Sequence, residues 1–181
     1  NSNYDPEKFF RTGVNTINSV SLSTGTSKNQ TYISVSATNS TGILPNNKYE
    51  RYNVSGRNTA TFLNDKLTLD FGANLIFQND RNMTAQGRYF NPLTALYLFP
   101  RGENFEAIRM YERYNEGLGI YEQYWPYDTQ SMELQNPYWT MNRIVRENKK
   151  KRFMTNASLK WNIIDGIDIT GRLKYDKTDM R

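Results

Sequence analysis

The sequence predicts an all-β chain: a fragment of a large antiparallel transmembrane β-barrel, with one long, partly helical extracellular loop. Three observations predict it. Apolar and polar residues alternate along several segments of strand length, and successive strand side chains point to opposite faces of a sheet. The apolar face of those segments carries no charge and has aromatics near the strand ends. The connections alternate between short and long, as in outer-membrane barrels. A soluble sheet also alternates, so the length of the runs and the uncharged face carry the weight.

The segments follow in chain order. Val20 and Leu22 oppose Ser19, Ser21 and Ser23, the weakest of the set. Thr31, Ile33, Val35 and Ala37 oppose Tyr32, Ser34, Ser36 and Thr38. Tyr52, Val54, Gly56, Ala60 and Phe62 alternate with Arg51, Asn53, Ser55, Arg57, Thr59 and Thr61, with Asn58 interrupting the apolar face. Leu67, Leu69, Phe71, Ala73, Leu75 and Phe77 alternate with Lys66, Thr68, Asp70, Gly72, Asn74 and Gln78, with Ile76 on the polar side. Phe153, Thr155, Ala157, Leu159, Trp161 and Ile163 oppose Arg152, Asn156, Ser158, Lys160 and Asn162, with Met154 out of place. After Asp165-Gly166, Ile167, Ile169, Gly171, Leu173 and Tyr175 alternate with Asp168, Thr170, Arg172, Lys174 and Asp176. Each of these about six segments is near the ~10 residues a tilted strand needs to cross a bilayer.

Val54, Leu69, Phe71, Leu75, Leu159, Trp161, Ile169 and Leu173 are thus expected to face lipid. Arg57, Asp70, Lys160, Asp168, Arg172 and Lys174 are the lumen-facing charges, where the two carboxylates can pair with the cations. They either line a passage or are simply solvated. The short connections Gly25–Asn29, Leu63–Lys66 and Asp165-Gly166 are assigned to the periplasmic rim; Asn39–Tyr49 and 79–151 fall outside. The N-terminus reads as an interior cut, with no basic or apolar leader. A wall of about six strands has two open edges, and unpaired backbone groups are not tolerated in hydrocarbon, so residues 1–181 read as a partial barrel domain.

Composition permits this. Hydrophobic residues are 37% of the 181-residue chain, and no run of about 18 apolar residues offers a transmembrane helix. A barrel strand gives half its residues to water, so a mean hydropathy of −0.79 does not exclude a membrane wall. The chain has no Cys and no His, which removes disulfides, thiol catalysis, Cys-ligated zinc and the commonest general base. No enzymatic role, metal or cofactor is expected. The net charge of +5 is modest and mostly dispersed.

Residues 79–151 are where ligand chemistry can sit. Asn91-Pro92 is an N-cap with Pro at the first helical position and predicts a helix to Phe99; Asn104 predicts a second, through Phe105, Ile108, Met110, Tyr111 and Tyr114. Tyr121, Tyr124, Trp125, Tyr138 and Trp139 are the candidate substrate-binding residues, because flat amphipathic rings stack on sugars or on peptide side chains. Tyr127 belongs to the same aromatic group. The alternative is that these rings pack the loop onto itself. The basic run Arg146–Arg152, read as lying just before a strand, suits phosphates of outer-leaflet lipopolysaccharide, or is a solvated loop. It lacks interleaved aromatics and the chain lacks a nucleic-acid module, so nucleic acid is not expected as a partner. Glu103, Glu106, Glu112, Asp128 and Glu133 are the carboxylates from which a glycosidase pair would have to come. Asn82-Met-Thr84 and Asn156-Ala-Ser158 match glycosylation sequons.

Several stretches resemble one family in order along the chain. They are Val20-Ser-Leu-Ser-Thr-Gly25 followed by Thr31-Tyr-Ile-Ser-Val-Ser and Thr41-Gly-Ile43, then Tyr49-Glu-Arg-Tyr-Asn53 leading into Lys66-Leu-Thr-Leu. Asn91-Pro-Leu-Thr-Ala-Leu96 with Phe99-Pro-Arg101, and Asn136-Pro-Tyr-Trp139 with Arg152-Phe153 and a closing strand pair, complete the set. The chain resembles the SusC/RagA-like TonB-dependent transporters of Bacteroidetes outer membranes, in the early part of the barrel after the plug. The resemblance implies energised import of large nutrients across the bacterial outer membrane, glycan oligomers first and oligopeptides second. It also implies a SusD-like surface lipoprotein as partner, TonB acting through the parent's plug, and outer-membrane lipid around the wall. The lumen-facing charges would then meet the plug or the passage. The alternative from another class is a soluble β-sandwich carbohydrate-binding module, which would pack its apolar faces against each other.

Overall fold

The computed structural model describes residues 4–127 and 134–181. A short 3-10 turn at Pro6–Phe9 leads into β1 (Val14–Gly25), β2 (Asn29–Thr41), β3 (Lys48–Phe62) and β4 (Leu67–Arg81). Then come α1 (Pro92–Tyr97), a 3-10 turn at Phe105–Arg109, the small strands β5 (Glu112–Asn115) and β6 (Ile120–Gln123), and α2 (Pro137–Arg143). The chain closes with β7 (Glu147–Ile164) and β8 (Ile167–Met180). The protein is mainly β. Its six long strands form one antiparallel sheet in the order β1-β2-β3-β4-β7-β8, which is not closed into a barrel. β5 and β6 pair separately as a hairpin.

The chain divides into two compact units. The sheet unit comprises Asn15–Asn39, Glu50–Asn79 and Asn148–Arg181. Its β7–β8 register sets like against like: Ala157 faces Leu173 and Trp161 faces Ile169 on one side, while Asn156 faces Lys174 and Ser158 faces Arg172 on the other. Directly opposed residues of an antiparallel pair share a sheet face, so the alternation in sequence becomes two faces of opposite character. The turn from β1 to β2 depends on Gly25, at φ +155°, where a Cβ would lie 2.3 Å from the Asn29 carbonyl oxygen. Asn58, the interruption on the apolar face, donates its amide to Asn29 Oδ1 and Thr31 Oγ1, both at 2.8 Å, so its polarity is satisfied across the strands.

The sheet has almost no buried apolar side chains. Ala60 and Ile76 are the buried hydrophobic residues of its strands. The residues expected to face lipid are largely open: Val54 is 42% exposed, Leu159 44% and Leu173 78%, and Leu69, Phe71, Trp161 and Ile169 are also exposed. Leu75 is half-buried. A β-sandwich needs a second sheet on such a face, and among the described residues the other strands are the four-residue pair β5 and β6.

The excursion unit comprises Asn1–Val14, Ser40–Tyr49 and Asp80–Glu147, and it has a true core. Phe9, Leu44, Ala95, Leu96, Phe99, Phe105, Ile108, Trp125 and Met141 form one buried cluster. Three asparagines start its short helical turns in the same way. The side-chain oxygens of Asn91, Asn104 and Asn136 accept the backbone N–H groups of Leu93, Glu106 and Tyr138 at 3.0, 3.1 and 2.9 Å.

Three expectations are corrected here. The helix expected over 104–115 is a 3-10 turn that ends at Arg109 and gives way to β5. Asn115 turns the chain instead, its side-chain oxygen accepting the N–H groups of Gly117 and Leu118, and strand pairing with β6 outweighs the helical spacing of the tyrosines. α2 was not expected as a helix, although Asn136-Pro137 repeats the Asn91-Pro92 start signal. The basic run is not a loop before a strand: β7 begins at Glu147, so its lysines alternate between the two faces of the sheet.

Candidate functional site

Asn136 organises the aromatic region of the excursion unit. It is fully buried, and its amide donates to the carbonyl oxygens of Ile108 and Tyr124, each at 2.8 Å, while its own N–H donates to Gln123 Oε1 at 2.7 Å. The start of α2 is thereby tied to β6 and to the 3-10 turn. At the other end of α2, Arg143 grips Glu112 of β5 through two parallel bonds, Nε to Oε2 at 2.6 Å and Nη2 to Oε1 at 2.9 Å. The Glu112 carboxylate holds the guanidinium pKa above its ordinary value. Glu112 and Gln123 are register partners, so the two ends of α2 both hold the open end of the β5–β6 hairpin.

The hairpin register sets Tyr114 opposite Tyr121, with ring centroids 5.2 Å apart in an edge-to-face arrangement. Each ring is 56% exposed, and the Arg143 guanidinium lies 5.8 Å from the Tyr121 centroid. On the hairpin's other side Arg113 stacks on Tyr124 at 3.6 Å. Trp139 is half-buried, with its ring 6.5 Å from that of Tyr111. Two open rings beside an ordered guanidinium–carboxylate pair can receive an uncharged polar ligand: the rings take its apolar faces, and the charged pair takes its hydroxyl or amide groups.

The five predicted aromatics therefore separate. Tyr121 presents an open ring, while Tyr124 and Trp139 are half-buried. Trp125 is 7% exposed and packs on Phe99 and Tyr127. Tyr138 packs edge-on against Phe9 at 5.0 Å, and its burial raises the phenol pKa. Tyr114, Arg143 and the pairing of Glu112 with Arg143 did not emerge from the sequence. Tyr114 was hidden in the segment read as helical, and Asn115 with Gly119 is the turn signal that would have exposed its pairing.

Among the described residues, the carboxylates considered for glycoside hydrolysis each engage a different partner. Glu103 accepts from the Tyr127 hydroxyl at 3.4 Å, Glu106 pairs with Arg109 at 2.9 Å and Glu112 with Arg143; Asp128 and Glu133 lie outside the described residues. The sequon residue Asn82 is 5% exposed with its side chain engaged. Its amide donates to the carbonyls of Met141 and Asn46 at 2.9 and 3.2 Å, and its oxygen accepts the Arg146 N–H at 2.9 Å.

On the sheet, Arg57 forms a bidentate pair with Asp70 and Lys160 pairs with Asp168 at 3.3 Å, while Arg172 and Lys174 are exposed on β8. Arg152 also pairs with Asp176. Arg57, Lys174 and Asp176 share a groove of about 690 Å³ with Tyr32, Asn74 and Asn156. In that groove a Cβ at Gly72 would come 2.5 Å from Asn156 Oδ1, so glycine lets the Asn156 amide lie across β4.

No protein-family model matches the chain, and no curated protein is significantly similar to it.

Proposed function

We propose that the chain forms part of the wall of an outer-membrane β-barrel transporter of the SusC/RagA-like, TonB-dependent kind. The observation that carries this reading is the sheet itself. Six strands of 12 to 18 residues expose apolar side chains of one parity, and the pairs Arg57–Asp70, Lys160–Asp168 and Arg152–Asp176 lie on the opposite face. In water such a face would be costly, at roughly 25 cal/mol for each Å² of apolar surface. In a bilayer it is the face that belongs against hydrocarbon. The parent barrel would import nutrients too large for ordinary porins, glycan oligomers first and oligopeptides second. Energy would come from TonB through the plug, and capture would be shared with a SusD-like lipoprotein.

In this reading 82–146 lies outside the cell, and Tyr114, Tyr121, Tyr124 and Trp139 contribute to substrate capture with Arg143 and Glu112. Protease added to intact cells is expected to cut within 82–146 and to leave Asp165-Gly166 untouched. Cleavage at the short turns alone would invert the topology and remove the capture role.

A further inference from the structure

The lysines of β7 carry a separate inference, which rests on the membrane-wall reading above. In β7 the odd-numbered positions Phe153, Leu159 and Trp161 lie on the apolar face. Lys149 and Lys151 have the same parity and are exposed, whereas Lys150 and Arg152 of the opposite parity are half-buried. The register extends the set to β8: Lys177 faces Phe153 and Asp179 faces Lys151. Arg181 exchanges both backbone hydrogen bonds with Lys149, at 2.8 and 2.9 Å. Four cations thus gather on the apolar side of the sheet, at one end of the β7–β8 pair.

What lies next to them along the same face is aromatic. Phe153 and Tyr175 have ring centroids 6.3 Å apart, and Tyr52 and Phe77 are also exposed. Tyr52, Phe77 and Asn79 line a hollow of about 200 Å³ together with Lys149, Lys150 and Lys151. Lys149, Lys151, Asp179 and Arg181 line a second groove of about 610 Å³. Along one face the order is therefore aliphatic, then aromatic, then cationic. That is the order of an amphiphile lying against the wall: acyl chains, the interfacial region, then an anionic headgroup. Lys177 lies 4.0 Å from Asp179 on this face, and Asp179 with Glu50 still leaves the four cations of the rim in excess.

We infer that this rim is a docking surface for a phosphorylated glycolipid headgroup of the outer leaflet, with Lys149, Lys151, Lys177 and Arg181 meeting its phosphates. Basic residues stand on both faces at this end of β7, but on the opposite face Arg152 is already paired with Asp176, whereas the cations of odd parity continue the aromatic band. That continuity argues for a ligand that sits in the lipid layer.

Two variants that remove the same charge from opposite faces test this: Lys151→Gln with Lys177→Gln, and Lys160→Gln with Lys174→Gln. Each is incorporated, in the full barrel, into phosphatidylcholine nanodiscs containing either bisphosphorylated lipid A or the same lipid after removal of its phosphates. Native mass spectrometry reads the lipid retained on release. The wild type is expected to retain the phosphorylated lipid about tenfold over the dephosphorylated one, on the scale of surface lysines near anionic lipid. The Lys151/Lys177 variant loses that preference and the Lys160/Lys174 variant keeps it. Equal behaviour of the two variants, or no preference in the wild type, overturns the headgroup site while leaving the membrane wall standing. Failure of the protein to float with the lipid at all overturns the membrane wall, and this site with it.

Discussion

The excursion unit and the sheet unit solve the same problem of where to put apolar side chains in opposite ways. The excursion unit buries Phe9, Leu96, Phe99, Phe105 and Ile108 in one cluster and stitches its backbone with the buried amides of Asn82 and Asn136. The sheet unit leaves Val54, Phe71, Leu159 and Leu173 open and pairs Arg57 with Asp70 and Lys160 with Asp168 on the other side. The first is the economy of a protein in water. The second is the pattern that the proposed membrane wall would present to lipid. The difference teaches that exposure has to be judged face by face: one chain holds both patterns, and its average hydropathy describes neither.

The comparison breaks most visibly at its cores. Asn136→Ala or Phe105→Ala should destabilise the excursion unit by about 3–5 kcal/mol, through lost buried hydrogen bonds or a core cavity. Hydrogen exchange is expected to rise across 92–143 while β2, β3 and β4 keep their protection. A loss of protection in the sheet of equal size would mean that the two regions do not stand on separate foundations. Leu159→Arg probes the other side of the contrast. It should cost roughly 2–4 kcal/mol in a bilayer if the site lies near mid-membrane, against almost nothing for Ser158→Arg on the neighbouring polar position. Equal tolerance of both, measured by equilibrium unfolding in lipid vesicles, would remove the distinction between the faces.

Smaller effects sharpen the picture. Tyr114→Ala with Tyr121→Ala should weaken glycan or peptide binding by about 1–3 kcal/mol without changing barrel assembly, on the scale of binding hot spots. Trp125→Phe should instead leave affinity unchanged, because that ring is spent on Phe99 and Tyr127. Isothermal titration with the parent barrel separates the two outcomes. The smallest effect is expected from Asp70→Asn. It releases Arg57 on a solvated face, and the change in stability should fade as salt is raised.

Much of the sheet was legible because a strand's period of two is written directly in the sequence. The Leu67–Phe77 and Leu159–Trp161 alternations needed only their turns to become strands. The basic segment of β7 was not legible, because Lys149, Lys150 and Lys151 put charge on both faces and erase the period. The excursion was half legible. Asn91-Pro92 and Asn104 marked real starts, since the cap chemistry is local. Tyr111 and Tyr114 satisfied helical spacing, yet the pairing of β5 with β6 across the Asn115–Gly119 turn prevailed. The candidate aromatics could be named but not sorted. Whether a ring packs, like Trp125, or opens outward, like Tyr121, depends on neighbours far away in sequence.

The central claim is that the apolar parity of the sheet faces lipid, and Trp161 tests it most directly. With Trp125 and Trp139 replaced by Phe, Trp161 becomes the sole indole of this chain, and other tryptophans of the parent barrel are replaced in the same way. The protein is placed in vesicles whose acyl chains carry bromine, a short-range quencher. Strong quenching at position 161, and none when the indole is moved to position 160 by Trp161→Phe with Lys160→Trp, is the result predicted. Equal quenching at the two positions, or none at either, would contradict the assignment of this sheet to a membrane wall.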